Sequence, residues 1–539
     1  MNLPDWTAFT SDETDHRGLD PLGLQSVGAS IVQRRLLPGI TDSTIHIRYY
    51  SFFCWVFWTF WQGGKKKAGT LEQLKWRTRL ENVLRTATLW KSPDLLGLVG
   101  TTKTIKIDGL SRAGKVRIDK ADVISAFIPA FYSASFRALG CGKWTPDGGA
   151  QLTTFGKTLA MKFDTTMRQS AVSRNALPAL LSNNPTVSVK DVKAVADSIG
   201  LRPVEPGEPE YESLLELLFR LKAGDEQLTW QSRSRSLGLL MEIAKQGQGR
   251  ILSVKDVHSV FATGLLPNKS SFNVPSEVRS DFEIWKRYQE RQYLKIAIYS
   301  LWYEVVRFLD FSVSKTADAR DIAGYFRNSF ERSRVARKWF GHDFTGLSIH
   351  QAQGLLSKRL RGRPEELGKA AIVLNNELLN IRWTSSERIS TSLVLLLLVA
   401  TYWKEFQGQI EESQLHREGG RLRIALDSVV RDANQMGNSS LPDYLQWLVE
   451  NYVLKQSTRI ALEKLPDYRY FLVRDDAGFR LVKKQDPRSY LAYDPSRIGS
   501  AFELMSELKL VDISNGYRLT ENGRRVLDQL RTLHHNKLA

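Results

Sequence analysis

Two apolar runs constrain this chain more than anything else in it: YYSFFCWVFWTFW at residues 49–61 and SLVLLLLVATYW at residues 392–403. Each is bounded by cations, Arg48 and Lys65-Lys66-Lys67 around the first, Arg388 and Lys404 around the second. Both fall short of the roughly 20 apolar residues that span a bilayer. They are therefore read as buried core helices. At 539 residues the chain is too long for one ordinary core, and about two to four domains are expected.

The remaining pattern is mostly helical. Val27, Ile31 and Leu36 suggest a short amphipathic helix that stops at Pro38-Gly39. Thr41, Asp42 and Ser43 are N-cap candidates for the aromatic helix. Arg48 shares a face with Phe52 and Trp55, so it either stacks on rings or pairs with a buried acid. After a helical stretch over residues 71–88, TKTIKIDGLSRAGKVRID alternates and is expected as a β-hairpin over about residues 103–118. LRPVEPGEPE at 201–210 has the Pro and Glu of a linker. From Tyr211 to about Asn434 nearly everything reads as helix. The tail adds a long helix, a hairpin turning at 475–478, and a helix with Phe502, Met505 and Leu508 inward. The expected fold class is mainly α, a multi-domain helical protein with small β-hairpins. Its expected divisions are an N-terminal domain (1–170), a linker (171–210), an all-helical centre (211–438) and a C-terminal domain (439–539).

One phrase occurs near both ends. QLTTFGKTLA at 151–160 and RLTENGRRVL at 518–527 share Leu-Thr-x-x-Gly, a basic residue and an apolar pair. The Leu should end a strand and enter the core, the Thr should cap the next helix, and the Gly should let that helix approach its neighbour closely. The layout resembles the wing and closing helix of winged-helix domains, which implies one winged-helix-like module near each end.

A net charge of +18 and a pI near 9.7 point to a polyanionic partner, most often nucleic acid. The alternative is a basic surface kept for solubility or facing an acidic protein. Phosphate contacts are expected first from the N-terminal module, through Lys103, Lys106, Arg112, Lys115 and Arg117 on the hairpin and Lys157 on the following helix. Arg334, Arg337 and Lys338 stand one turn apart in ERSRVARKWF. Lys358, Arg359, Arg361 and Arg363 crowd SKRLRGRPEEL, where Arg361-Gly362-Arg363-Pro364 matches the core of an AT-hook. Pro364-Glu365-Glu366 reads as the first turn of a helix, so the preferred reading is a basic loop that touches phosphates without reading bases. The C-terminal module differs. Its helix shows Glu503, Ser506 and Glu507 outward with Lys509 alone basic, a face expected to repel phosphate and to dock protein.

Catalytic and metal patterns are sparse. No Gly-rich phosphate loop ending in Lys-Ser/Thr occurs, so no nucleotide hydrolysis and no cofactor are expected. His258, His342-Asp343 and Asp427 follow the order of HD phosphohydrolases at wide spacings, with WFGHDFTGL looking like a loop. Asp494 with Glu507-Leu508-Lys509 imitates a restriction-type nuclease pattern, but Glu507 and Lys509 fall in a helical rather than a strand pattern. Cys54 and Cys141 cannot build a disulfide framework or a four-ligand zinc site, which fits a reducing cytosol. The opening MNLPDWTAFTSDETD lacks the layout of a secretory signal.

Over about the first sixty residues, Leu19-Asp20-x-Leu22-Gly23, Leu37-Pro38-Gly39-x-Thr41 and Arg48-Tyr49-Tyr50 resemble an uncharacterised bacterial family found beside helicase and restriction genes in phage-defence and mobile loci. The resemblance implies a cytosolic accessory subunit acting with larger enzymes and carries no catalytic residues. The expected function is non-enzymatic DNA binding, with a protein scaffold and, more remotely, a metal-dependent nuclease as the alternatives.

Overall fold

In the computed structural model the residues described are 20–63, 70–99, 114–119, 125–128, 131–145, 149–221, 228–247, 252–360, 363–379, 383–404, 424–463, 472–481, 491–494 and 496–535. They are mainly helical with small antiparallel sheets, and no described helix is long and apolar enough to cross a membrane. The chain divides into two units, each assembled from separated segments. The aromatic unit comprises Gln33–Val254, Ser276–Val278 and Arg497–Ala539. The leucine unit comprises Met1–Val32, Lys255–Pro275 and Arg279–Ser496. This differs from the expected linear divisions: residues 171–254 and the tail from Arg497 belong with the aromatic unit, and residues up to Val32 with the leucine unit.

The aromatic unit is built around α1 (Arg48–Gln62), whose first ten residues are all buried. A helix apolar on every side must be covered on every side. Helix α2 (Thr70–Lys91) is one of its neighbours. Strand β1 (Lys115–Arg117) follows, then α3 (Tyr132–Ala138), β2 (Gly142–Trp144), β3 (Ala150–Leu152) and α4 (Thr154–Gln169), and α4 also packs on α1. Residues 171–199, expected as the start of a linker, form α5 (Ala171–Leu181), β4 (Thr186–Ser188) and α6 (Val189–Ile199). The apolar faces of α5 and α6, including Leu177, Leu180, Val192 and Val195, are buried. The remainder of the expected linker is fixed as well: Val204 N donates to Glu507 O at 2.7 Å, and Glu210 is fully buried.

Arg48 pairs with a buried acid, one of its two expected roles, and the ring it meets is Phe163 rather than Phe52 or Trp55. Its guanidinium lies 2.8 Å from the Glu210 carboxylate, donates to Ser198 O at 2.7 Å and to Gly200 O, and sits 5.1 Å from the centre of the Phe163 ring. The start of α1 is not capped by Thr41–Ser43, which bond among themselves and to Thr44. Instead Glu507 accepts from Ile47 N at 2.7 Å, and the Tyr132 hydroxyl accepts from His46 N at 3.1 Å. The His46 ring lies between Glu507 Oε1 (2.6 Å) and Leu96 O (2.7 Å), two acceptors for its two nitrogens. Burial works against the imidazolium, but the hydrogen bond and charge of Glu507 outweigh it and raise the ring's pKa.

In the leucine unit, α7 (Arg279–Phe311) carries a strip of buried side chains, and a short strand β5 (Thr316–Ala317) follows it. Next come α8 (Ala319–Glu331), α9 (Arg334–Phe340), α10 (Ile349–Arg359), α11 (Pro364–Leu378) and α12 (Ser385–Lys404). Residues Leu393–Val399 of α12 are all buried, and α12 packs along α7. Strands β6 (Leu472–Asp475) and β7 (Gly478–Leu481) form the expected hairpin, turning at 475–478. Strand β7 also pairs with β5, so the expected all-helical centre contributes a strand to a sheet completed from the tail. The buried charges of this core are mostly paired, Lys295 with Asp494 and Arg388 with Glu304 (2.9 Å). Glu290 on α7 makes no ion pair among the described residues: it is buried with one carboxylate oxygen unpartnered, and feels the charges of Lys286, Glu283 and Arg287.

The tail returns to the aromatic unit with α13 (Ile498–Glu507), β8 (Val511–Asp512), β9 (Arg518–Leu519) and α14 (Glu521–His535). Here the repeated phrase explains itself. Thr153 Oγ1 accepts from Gly156 N at 3.0 Å and donates to Gly140 O at 2.6 Å. Thr520 Oγ1 accepts from Gly523 N at 3.0 Å and donates to Lys509 O at 2.6 Å. Gly140 and Lys509 both adopt left-handed backbone (φ 76° and 57°), and Leu152 and Leu519 are both buried at strand ends. A Cβ on Gly156 would overlap the carbonyl oxygen of Cys141, and one on Gly523 that of Leu510. The two ends are thus the same helix–hairpin–helix device, bonded atom for atom alike.

Gly156→Ala and Gly523→Ala should therefore each destabilise the protein by a similar amount, about 1–3 kcal/mol, since the clash is with backbone that has to move. Urea unfolding followed by circular dichroism measures both. A cost at one site and none at the other would break the equivalence.

Candidate nucleic-acid interface

The expected basic residues that are described fall in both units. In the aromatic unit β1 pairs antiparallel with β4, placing Lys115 opposite Ser188 and Arg117 opposite Thr186. Most of the hairpin expected over about residues 103–118 lies outside the described residues, and the described partner of residues 115–117 is residues 186–188. Lys103, Lys106 and Arg112 lie outside the described residues. Val116 and Val187 are buried between the strands, which leaves Lys115 and Arg117 exposed. Arg117 is partly committed, however: it donates to Asp119 at 2.8 Å and holds that carboxyl below its ordinary pKa. Lys157 is exposed on the first turn of α4.

Next to the β1–β4 pair stand cations that a linker over 171–210 does not anticipate. Strand β4 runs directly into α6 through Ser188, whose side chain accepts from Asp191 N at 3.0 Å. Lys190 and Lys193 are exposed on the first two turns of that helix, and the Lys193 ammonium lies 3.9 Å from the centre of the Trp90 ring. The signal is present in the sequence as a serine cap with Asp three residues on.

The leucine unit gathers the denser set. Ser333 caps α9 by accepting from Ala336 N at 3.0 Å, and Ala336 and Phe340 are buried on the helix's inner face. Arg334, Arg337 and Lys338 are exposed on its other side. From the last turn of α10, Arg359 reaches back across 21 residues, donating to Lys338 O at 2.5 Å with its guanidinium 4.6 Å from the centre of the Trp339 ring. That contact joins the two basic segments into one surface. Lys358 is exposed beside it, and exposed Arg363 precedes α11, whose first turn is Pro364-Glu365-Glu366 as expected. Arg361 lies outside the described residues.

Charge pairing distinguishes this surface from its surroundings. Nearby Arg327 bonds Glu331 at 3.1 Å and Lys369 bonds Glu366 at 2.8 Å. Arg334, Arg337, Lys338, Lys358, Arg359 and Arg363 have no ion-pair partner among the described residues. The half-buried Glu377 is the carboxylate that feels Lys338. Cations held on capped helices without a close ion pair are suited to binding phosphates.

The other expected patterns resolve into internal contacts. Glu507, expected outward on an acidic docking face, is instead the acceptor at the start of α1, while Glu503 remains exposed. Asp494 of the nuclease-like pattern is buried against Lys295 and Gln292. His258 is buried with its ring nitrogens on Gln289 (2.6 Å) and Ser496 (3.1 Å), whereas His342 and Asp343 are exposed in a turn. Among the described residues no three acids, histidines or cysteines stand together as metal ligands. Comparison with family models, curated proteins and solved structures returns no match.

Proposed function

We propose that the protein is a non-enzymatic DNA-binding component of a bacterial defence or DNA-transaction complex, holding DNA mainly through its phosphates. The observation that supports this reading is the Arg359 contact, which brings the end of α10, with Lys358 and Arg359, against α9, with Arg334, Arg337 and Lys338; these cations and Arg363 have no ion-pair partner among the described residues. The net charge of +18 supports it, and Lys115, Lys190 and Lys193 near the β1–β4 pair, with exposed Lys157 on α4, add further cations in the aromatic unit. The two helix–hairpin–helix ends are read as winged-helix-like modules. Since Glu507 is occupied within the fold, no protein-docking role is assigned to the C-terminal module. Association with helicase or nuclease subunits is retained as an expectation from the resemblance of the first sixty residues.

The test is DNA affinity against salt. Wild-type protein should bind a duplex of arbitrary sequence with Kd of about 10⁻⁴ to 10⁻⁶ M and weaken steeply as salt rises. Changing the six cations to Ala should weaken binding about tenfold or more and reduce the salt slope by roughly 0.9 for each phosphate no longer neutralised. The fold should persist, because exposed charges contribute little to stability and the surface bond of Arg359 to Lys338 O is worth only about 1 kcal/mol. Binding indifferent to salt, or unchanged in the six-site variant, sinks the reading. If a partner is retained after nuclease treatment while the purified protein binds no DNA, the basic surface faces an acidic protein instead.

A further inference from the structure

We infer that α9 is shaped to enter the major groove of B-form duplex DNA, with Lys358, Arg359 and Arg363 on the flanking phosphates. This rests on the phosphate-binding reading and adds the form of nucleic acid.

Helix α9 is anchored at both ends and along one side. Its N-terminal end is fixed by the Ser333 cap and its inner face by buried Ala336 and Phe340. Its C-terminal end is held where Arg359 donates to Lys338 O and covers the Trp339 ring. Arg334, Arg337 and Lys338 then project from one side within about 6 Å of helix axis, at 1.5 Å per residue. Because Ala336 and Phe340 keep the inner face in the core, it is the exposed side of α9 that meets the groove, and that side is narrower than the roughly 12 Å of a B-DNA major groove. The remaining three cations sit on neighbouring elements rather than on α9 itself, so they are placed to meet backbone while α9 meets the groove.

Single strands fit the patch less well. Sequence-tolerant single-strand binding uses exposed rings on which bases stack. The aromatic side chain here, Trp339, is half-buried and already lies against Arg359. Duplex RNA fits less well too, because its major groove is too narrow and deep for side chains to enter.

Fluorescence anisotropy on the full-length protein separates these cases, using a DNA duplex of about 20 base pairs, its single strand and the same sequence as duplex RNA. Wild type should prefer duplex DNA over both others by roughly tenfold. The variant R334A/R337A/K338A should lose that preference, and K358A/R363A should weaken all three ligands alike. Should the triple variant melt early by circular dichroism, R334Q/R337Q serves in its place. Equal wild-type affinity for the three ligands, tighter binding to single strands, or a preference that survives removal of the α9 cations overturns groove entry while leaving phosphate binding standing. Failure to bind any nucleic acid removes both.

Discussion

Glu210→Ala is expected to lower the stability of the aromatic unit by about 3–5 kcal/mol, the cost of leaving a buried charge without its counter-ion. Arg48 and Glu210 are both fully buried at 2.8 Å, and the guanidinium has no water to turn to. Its bonds to Ser198 O and Gly200 O remain in the variant but are neutral and cannot offset a whole charge. Replacing both partners, as Arg48→Met with Glu210→Leu, should recover a large part of the stability, because apolar substitutes for a buried pair are often neutral. Urea titrations of the wild type, single and double variants measure this. A single variant within about 1 kcal/mol of wild type would show that the pair is not holding these segments together.

Glu290→Gln should do the opposite and stabilise the protein at alkaline pH. Burial raises the Glu290 carboxyl from 4.5 to about 8, with the attraction of Lys286 only partly opposing it. A folded value above the unfolded one means that the native state holds a proton the unfolded state has released. Stability from this group is therefore complete below pH 4.5 and is lost as pH rises towards 8, by on the order of 5 kcal/mol at most. Glutamine keeps the shape without the ionisation. Melting temperatures at about pH 5, 7 and 9 should fall less steeply in the variant, and above pH 8 the variant should melt higher. Parallel curves for the two proteins would refute the assignment.

Local grammar is readable in the sequence, and connections across the chain are not. Thr153 and Thr520 cap as expected, Phe502, Met505 and Leu508 point inward, and Pro364-Glu365-Glu366 opens a helix. Each of these depends on residues within a few positions, where capping and periodicity leave a trace. Residues 171–199 depart from the linker expectation because the Pro and Glu of 201–210 colour their neighbours, although Ser188 and Asp191 already spell a helix start. The role of Glu507 cannot be read at all, since its partners at His46 and Ile47 leave no periodic mark. The basic surface lies between these extremes. Its helices are legible, but the fold of Arg359 over Trp339 that makes one patch of two segments is a tertiary fact.

The pairing of Glu507 with the start of α1 also sets a schedule for synthesis. His46 emerges early, and its partner Glu507 follows 461 residues later. At translation rates of about 5–20 residues per second the start of α1 waits roughly 20–90 s for its acceptor. Throughout that interval His46 and the Ile47 N–H at the start of α1 lack their acceptor, and the aromatic unit lacks α13 and α14. A ribosome that stalls anywhere before Arg497 releases a chain in which the aromatic unit is still missing its last segment.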